Sequence, residues 1–185
     1  MDQPNFDRLQ EMSALVERSS APVPLAQKYV EYWYGAAFEV LGVRCVASMK
    51  EARKVVNLTP TIPIPGVKQW VRGLANIGGR ILAIADFAAF LSQGDTSSTG
   101  KQALVISGRG INAGLVIDAS FGGVRFPVDE LRMDIPVAQE LQPYVSGVFP
   151  SEDGEYAVFN IDKLLSDAEF MRAGVVMNTR AGERQ

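Results

Sequence analysis

The 185-residue chain predicts a mainly β protein of small, glycine-punctuated barrels. Three features carry that expectation. Runs of about five to seven residues rich in β-branched and aromatic side chains recur ten times between Ala37 and Asn160. Turn-forming residues, glycine above all, punctuate them. A polar loop, Ser92–Lys101, has no apolar residue and stands after the first five runs, marking a division into two halves of about five strands each.

The elements follow in order. Phe6, Leu9, Met12, Leu15 and Val16 share one helical face, with Asn5 as N-cap, so residues 5–18 form a short amphipathic helix. Ala21-Pro-Val-Pro24 ends it, because proline has no amide to donate. With the aromatic cluster Tyr29–Tyr34 this makes residues 1–34 an N-terminal extension. Strands are expected at Ala37–Leu41, Val43–Ala47, Arg53–Leu58, Val71–Ile77, Arg80–Ala85, Ala103–Ser107, Ile111–Ile117, Gly123–Pro127, Val145–Phe149 and Glu155–Asn160. Ser48–Glu51 has capping-box spacing and starts a single helical turn. Thr59–Gly66 carries three prolines and runs extended and stiff. Short helices are expected at Phe87–Leu91, Pro136–Leu141 and Ile161–Phe170. Residues 173–185 have little to pack against and fray.

Composition excludes several kinds of chemistry. The chain has no histidine, which rules out Ser-His-Asp and Cys-His nucleophile systems, His-containing zinc sites and a phospho-accepting histidine. The single Cys45 lies in a strand-like run and reads as a small buried apolar residue. No metal, no cofactor and no catalytic residue is expected. Asp86 and Asp118 could act as bases, but they stand at strand ends, where aspartate caps turns. No apolar run approaches the roughly 20 residues that cross a bilayer, and the N-terminus lacks the regions of a signal peptide, so a reduced, cytoplasmic setting is expected with no direct membrane insertion. Gly108–Gly114 is glycine-rich, but a strand follows it rather than a helix, and it reads as a tight hairpin instead of a phosphate loop.

Net charge is −3, unevenly spread. Seven basic residues lie between Arg44 and Arg80 against the single acid Glu51, whereas nine acids lie between Asp118 and Asp162 against Arg125 and Arg132. Such polarity suits head-to-tail docking with a similarly built partner. Nucleic acid is not the expected partner, because single-strand binders interleave several stacking aromatics with their cations and this basic stretch has only Trp70.

The most informative stretch is Gly66–Asp86. Two apolar runs meet at Gly78-Gly79, where positive φ is cheap, and Trp70, Arg72 and Arg80 flank the turn. It reads as a recognition hairpin. It resembles the central signature of the CheW family, adapters that join chemoreceptors to a histidine kinase: a glycine, two residues, then Asn-Leu-Arg-Gly leading into a strand that ends in aspartate. The resemblance extends over residues 35–172, through Phe38–Val46, Pro63–Gly66, Gly114–Asp118 and Tyr156–Leu165. Val67–Gly73, Phe126–Asp129 and the N-terminal helix are similar to the branch that serves type IV pilus twitching motility.

That resemblance implies a pair of packed five-stranded, SH3-like barrels. The cleft between them and the loops at its mouth would hold the cytoplasmic helical tip of a chemoreceptor, and other faces would pair with the regulatory domain of a CheA-type kinase. The residues expected to bind are Gly73, Asn76, Ile77, Gly79 and Arg80, followed by Glu51, Arg72 and Trp70. A small-molecule-binding double barrel without a kinase partner is the alternative. One departure stands out: the family arginine of the signature is Gly78 here, in Asn76-Ile-Gly-Gly79. If the chain stays extended through the glycines, Arg80 projects to the same face, about 6.6 Å on.

Overall fold

The computed structural model describes residues 30–94, 100–133 and 135–173. The expected N-terminal helix, the centre of the polar loop and the tail beyond Ala173 lie outside these residues. All ten expected strands form: β1 Tyr32–Val40, β2 Val43–Ser48, β3 Ala52–Asn57, β4 Val71–Ile77, β5 Arg80–Asp86, β6 Gln102–Gly108, β7 Ile111–Ile117, β8 Ala119–Pro127, β9 Val145–Ser151 and β10 Gly154–Phe159. Helices α1 (Phe87–Leu91), α2 (Ile161–Ser166) and α3 (Ala168–Met171) accompany them.

The strands make two five-stranded sheets, ordered β8-β1-β2-β10-β9 and β3-β6-β7-β5-β4. The polar loop does not divide them. It joins α1 to β6 inside the second sheet, and β1 and β2 cross to complete the first sheet with β8, β9 and β10. The two sheets have the same topology once β8 is matched to β3, β9 to β4, β10 to β5, β1 to β6 and β2 to β7. In each, one pairing is parallel, β10 with β2 and β5 with β7. In each, the chain leaving one edge strand reaches the opposite edge through a single bridge, Arg132 with Val148 and Ile62 with Leu74. Each sheet thus rolls into a partly open barrel.

Burial explains why the central strands are apolar almost throughout. Ala37, Val46, Phe126, Phe149 and Tyr156 fill the first barrel, and Ala75, Ile77, Leu82, Ile84, Val105 and Val116 fill the second. The opposite faces of the same strands meet between the barrels, where Phe38, Val40, Cys45 and Ala47 join Leu104, Ile106, Leu115 and Ile117 in one core. Because successive strand residues face opposite ways, a strand with a core on each side has no polar face to alternate with. Burial pushes the Cys45 thiol up to about 12, so it stays protonated.

Three local expectations are corrected. Ser48–Glu51 is a tight turn closed by Glu51 N donating to Ser48 O at 3.0 Å, with no helix following. Pro136–Leu141 makes only one turn, with Leu141 N and Gln142 N both donating to Ala138 O; Pro143 has no amide to carry a helix on, and a 3₁₀ turn Gln142–Tyr144 follows. The helix expected over Ile161–Phe170 is two, because Asp167 ends α2 in an extended conformation and caps α3, its Oδ1 accepting from Glu169 N and Phe170 N.

Candidate partner-binding site

The hairpin β4–β5 is built as a two-residue turn. Ile77 pairs with Arg80, and Gly78 and Gly79 have φ of 60° and 83°, the conformation that matches the twist of paired strands and favours glycine at both places. Asn76 Oδ1 accepts from Gly79 N at 2.9 Å and pins the reversal. The extended path through the glycines that would align Arg80 with position 78 is therefore absent. Arg80 instead shares the face of its cross-strand partner Ile77, at the mouth of the second barrel. A side chain added at Gly78 would start 3.8 Å from Lys54 Nζ. Lys54 is thus the cation nearest the family arginine's place.

Beside the turn lies a groove of about 870 Å³ bordered by Arg53, Lys54, Gly78, Arg80, Ile81 and Asn112. No acidic side chain is among its lining residues. On the outer face of the hairpin, cross-strand pairing aligns Leu74 with Ala83 and Asn76 with Ile81, and the bridge sets Ile62 against Leu74. Ile62 is 71% and Ile81 72% exposed. Isoleucines held so open on a paired sheet face make a ready-formed apolar strip.

The other expected residues do different work. Gly73 has φ of 123°, and a Cβ there would collide with the Ile62 carbonyl oxygen; its bareness allows the paired bonds, Ile62 N to Leu74 O and Leu74 N to Ile62 O, that bridge the barrel edge. Arg72 donates from Nε and Nη2 to Asp86 Oδ2, at 3.1 and 2.6 Å, and Asp86 is 2% exposed. Trp70 is half-buried, stacked on Phe170 at 5.2 Å and edge-on to Phe90 at 5.3 Å. Glu51 sits in the β2–β3 turn, where burial and then the like charge of Asp162 hold its carboxyl above the usual range. Hence Asn76, Ile77, Gly79 and Arg80 build the hairpin, Gly73, Arg72 and Trp70 support it, and Glu51 lies elsewhere. Arg53, Lys54, Ile62 and Ile81 join this surface through the fold alone. The first two stand in the basic stretch of the sequence, but only the strand order β3-β6-β7-β5 gathers them with Arg80 and Asn112.

The two aspartates weighed as bases are tied to structure. Asp86 Oδ1 caps α1 by accepting from Ala89 N at 3.0 Å, and Asp118 Oδ2 accepts from Leu41 N at 2.9 Å. That bond supports the β1–β2 turn, where Leu41 has φ of 51°.

Two like-built open barrels pack on a common core and present a cation-flanked hairpin at the mouth of one of them. The profile of the CheW-like domain matches residues 35–169, and the chain belongs to that family. It is 35% identical over 173 residues to "Protein PilI" of Pseudomonas aeruginosa, a match covering 92% of this chain and 96% of that protein. Among solved structures it is similar to the scaffolding protein TtCheW from Thermoanaerobacter tengcongensis, with a TM-score of 0.60, 16% identity and coverage of 73% of this chain and 88% of that one.

Proposed function

We propose that this protein is a non-catalytic coupling protein that holds the cytoplasmic tip of a chemoreceptor beside the regulatory domain of a CheA-type histidine kinase, in a cytoplasmic pathway governing type IV pilus twitching motility. Family membership and the likeness to Protein PilI support the chemosensory role and the pilus branch. The observation that carries the reading is the strip Ile62–Leu74–Ala83–Ile81 alongside Arg53, Lys54 and Arg80. A helical tip docks through apolar anchors spaced along one face, and its flanking charges set orientation and partner choice. Signalling then follows from differential binding: whichever kinase state the assembled surfaces hold more tightly gains population.

The test is kinase activity reconstituted from receptor tip, kinase and this protein. Ile81→Glu and Arg80→Glu change exposed residues and are expected to leave folding intact. Each is expected to weaken receptor-tip or kinase binding by about tenfold or more and to abolish coupling. Wild-type coupling by both variants would refute the assignment of this surface.

A further inference from the structure

A second cavity, of about 840 Å³, shares no lining residue with the hairpin groove. Both barrels contribute to it. Trp70 and Phe90 come from the second, while Glu140, Tyr144, Asp167 and Glu169 come from segments flanking β9 and β10 of the first. Its size lies within the range of small-molecule sites. We propose that it binds a small organic cation with a flat or apolar body, a guanidinium or substituted ammonium compound.

The rings form a braced wall. Phe90 lies 5.3 Å from Trp70 and 6.1 Å from Tyr144, centroid to centroid, and Trp70 is held by its stack on Phe170. Aromatic faces present negative potential, and a cation over them keeps attraction while shedding water. Carboxylates share the lining with these rings. Tyr144 Oη donates to Asp167 Oδ2 at 2.6 Å, and two backbone amides donate to Oδ1, so this carboxylate stays ionised near neutrality. Among the described residues of the lining, Glu140, Asp167 and Glu169 outnumber the one cation, Lys68. An anion would meet like charge there, and a neutral flat molecule would forgo the electrostatic part of the site. Because each barrel supplies part of the wall, occupancy couples to how the barrels pack.

Phenylguanidinium and its neutral isostere phenylurea are suitable probes, with binding followed by titration calorimetry and ligand-observed NMR on the full chain. Phenylguanidinium is expected to bind at least about tenfold more tightly than phenylurea, and Glu140→Lys with Glu169→Lys is expected to erase that preference with the melting temperature unchanged. Trp70→Phe keeps a ring in place and is expected to retain part of the affinity. Equal binding of the two probes, no binding of the cation, or indifference to the paired lysine substitutions would overturn the proposal. So would a chain ending at Ala173 that binds phenylguanidinium at least about tenfold more tightly than the full chain, since the cavity would then belong to the protein's own C-terminal segment, which carries Arg180 and Arg184.

Discussion

Arg72 and Asp86 show how a site-like pair can be structural. Asp86 caps α1 with one oxygen and takes the Arg72 guanidinium on the other, at 2% exposure. A carboxylate buried this far needs both partners. Arg72→Leu is therefore expected to cost about 2–3 kcal/mol in denaturant unfolding, somewhat under the usual loss for a broken buried pair because the arginine keeps 29% of its side chain in solvent. Asp86→Asn keeps a capping oxygen and removes the stranded charge, so placed on Arg72→Leu it is expected to recover part of the loss. An additive double-mutant cycle would show that the two residues do not act as a pair.

At the scale of elements, the junction of α2 and α3 depends on Asp167. The Tyr144 hydroxyl above all holds its carboxyl below the usual carboxylate range, against partial burial and with help from the backbone amides of Phe170 and Glu169. A lowered folded value means stabilisation that is complete above the unfolded value of about 3.8 and is lost as pH falls through the folded one. Tyr144→Phe is thus expected to lower stability by about 1–2 kcal/mol at neutral pH, with the deficit shrinking below about pH 4. Chemical denaturation of both proteins from about pH 2 to 7 measures it, and a deficit constant across that span would count against the linkage. The hairpin turn follows the same local logic: Gly78 and Gly79 supply the conformation and Asn76 the bond that closes it.

Over the whole molecule, the two barrels share one core, and Phe159 stands at its centre. Its ring lies 5.0 Å from Phe87 of the second barrel's helix, 5.9 Å from Phe38 of β1 and 6.5 Å from Tyr144. Phe159→Ala is expected to cost about 3–5 kcal/mol, and to do so for both barrels at once. Trp33 reports from the first barrel, 5.6 Å from Phe149, and Trp70 from the flank of the second. Single-tryptophan variants are expected to melt at one shared midpoint, before and after the substitution. Separate midpoints would mean that the barrels unfold independently.

Much of this was legible in the chain itself. Local patterns located all ten strands, α1, the Gly78-Gly79 reversal and the capping role of the strand-end aspartates, because turn chemistry and apolar runs act over a few residues. The partition into sheets was not legible. β1 and β2 join β8–β10 across most of the chain, and the resulting likeness between the barrels lies in strand order rather than in residues. Nor could sequence separate Arg72, Gly73 and Trp70, which hold the hairpin up, from Ile62, Ile81, Arg53 and Lys54, which face outward from it. Short-range propensity is written along the backbone; which side chains end up in solvent depends on which distant strands pair and pack. Tertiary structure alone decided that.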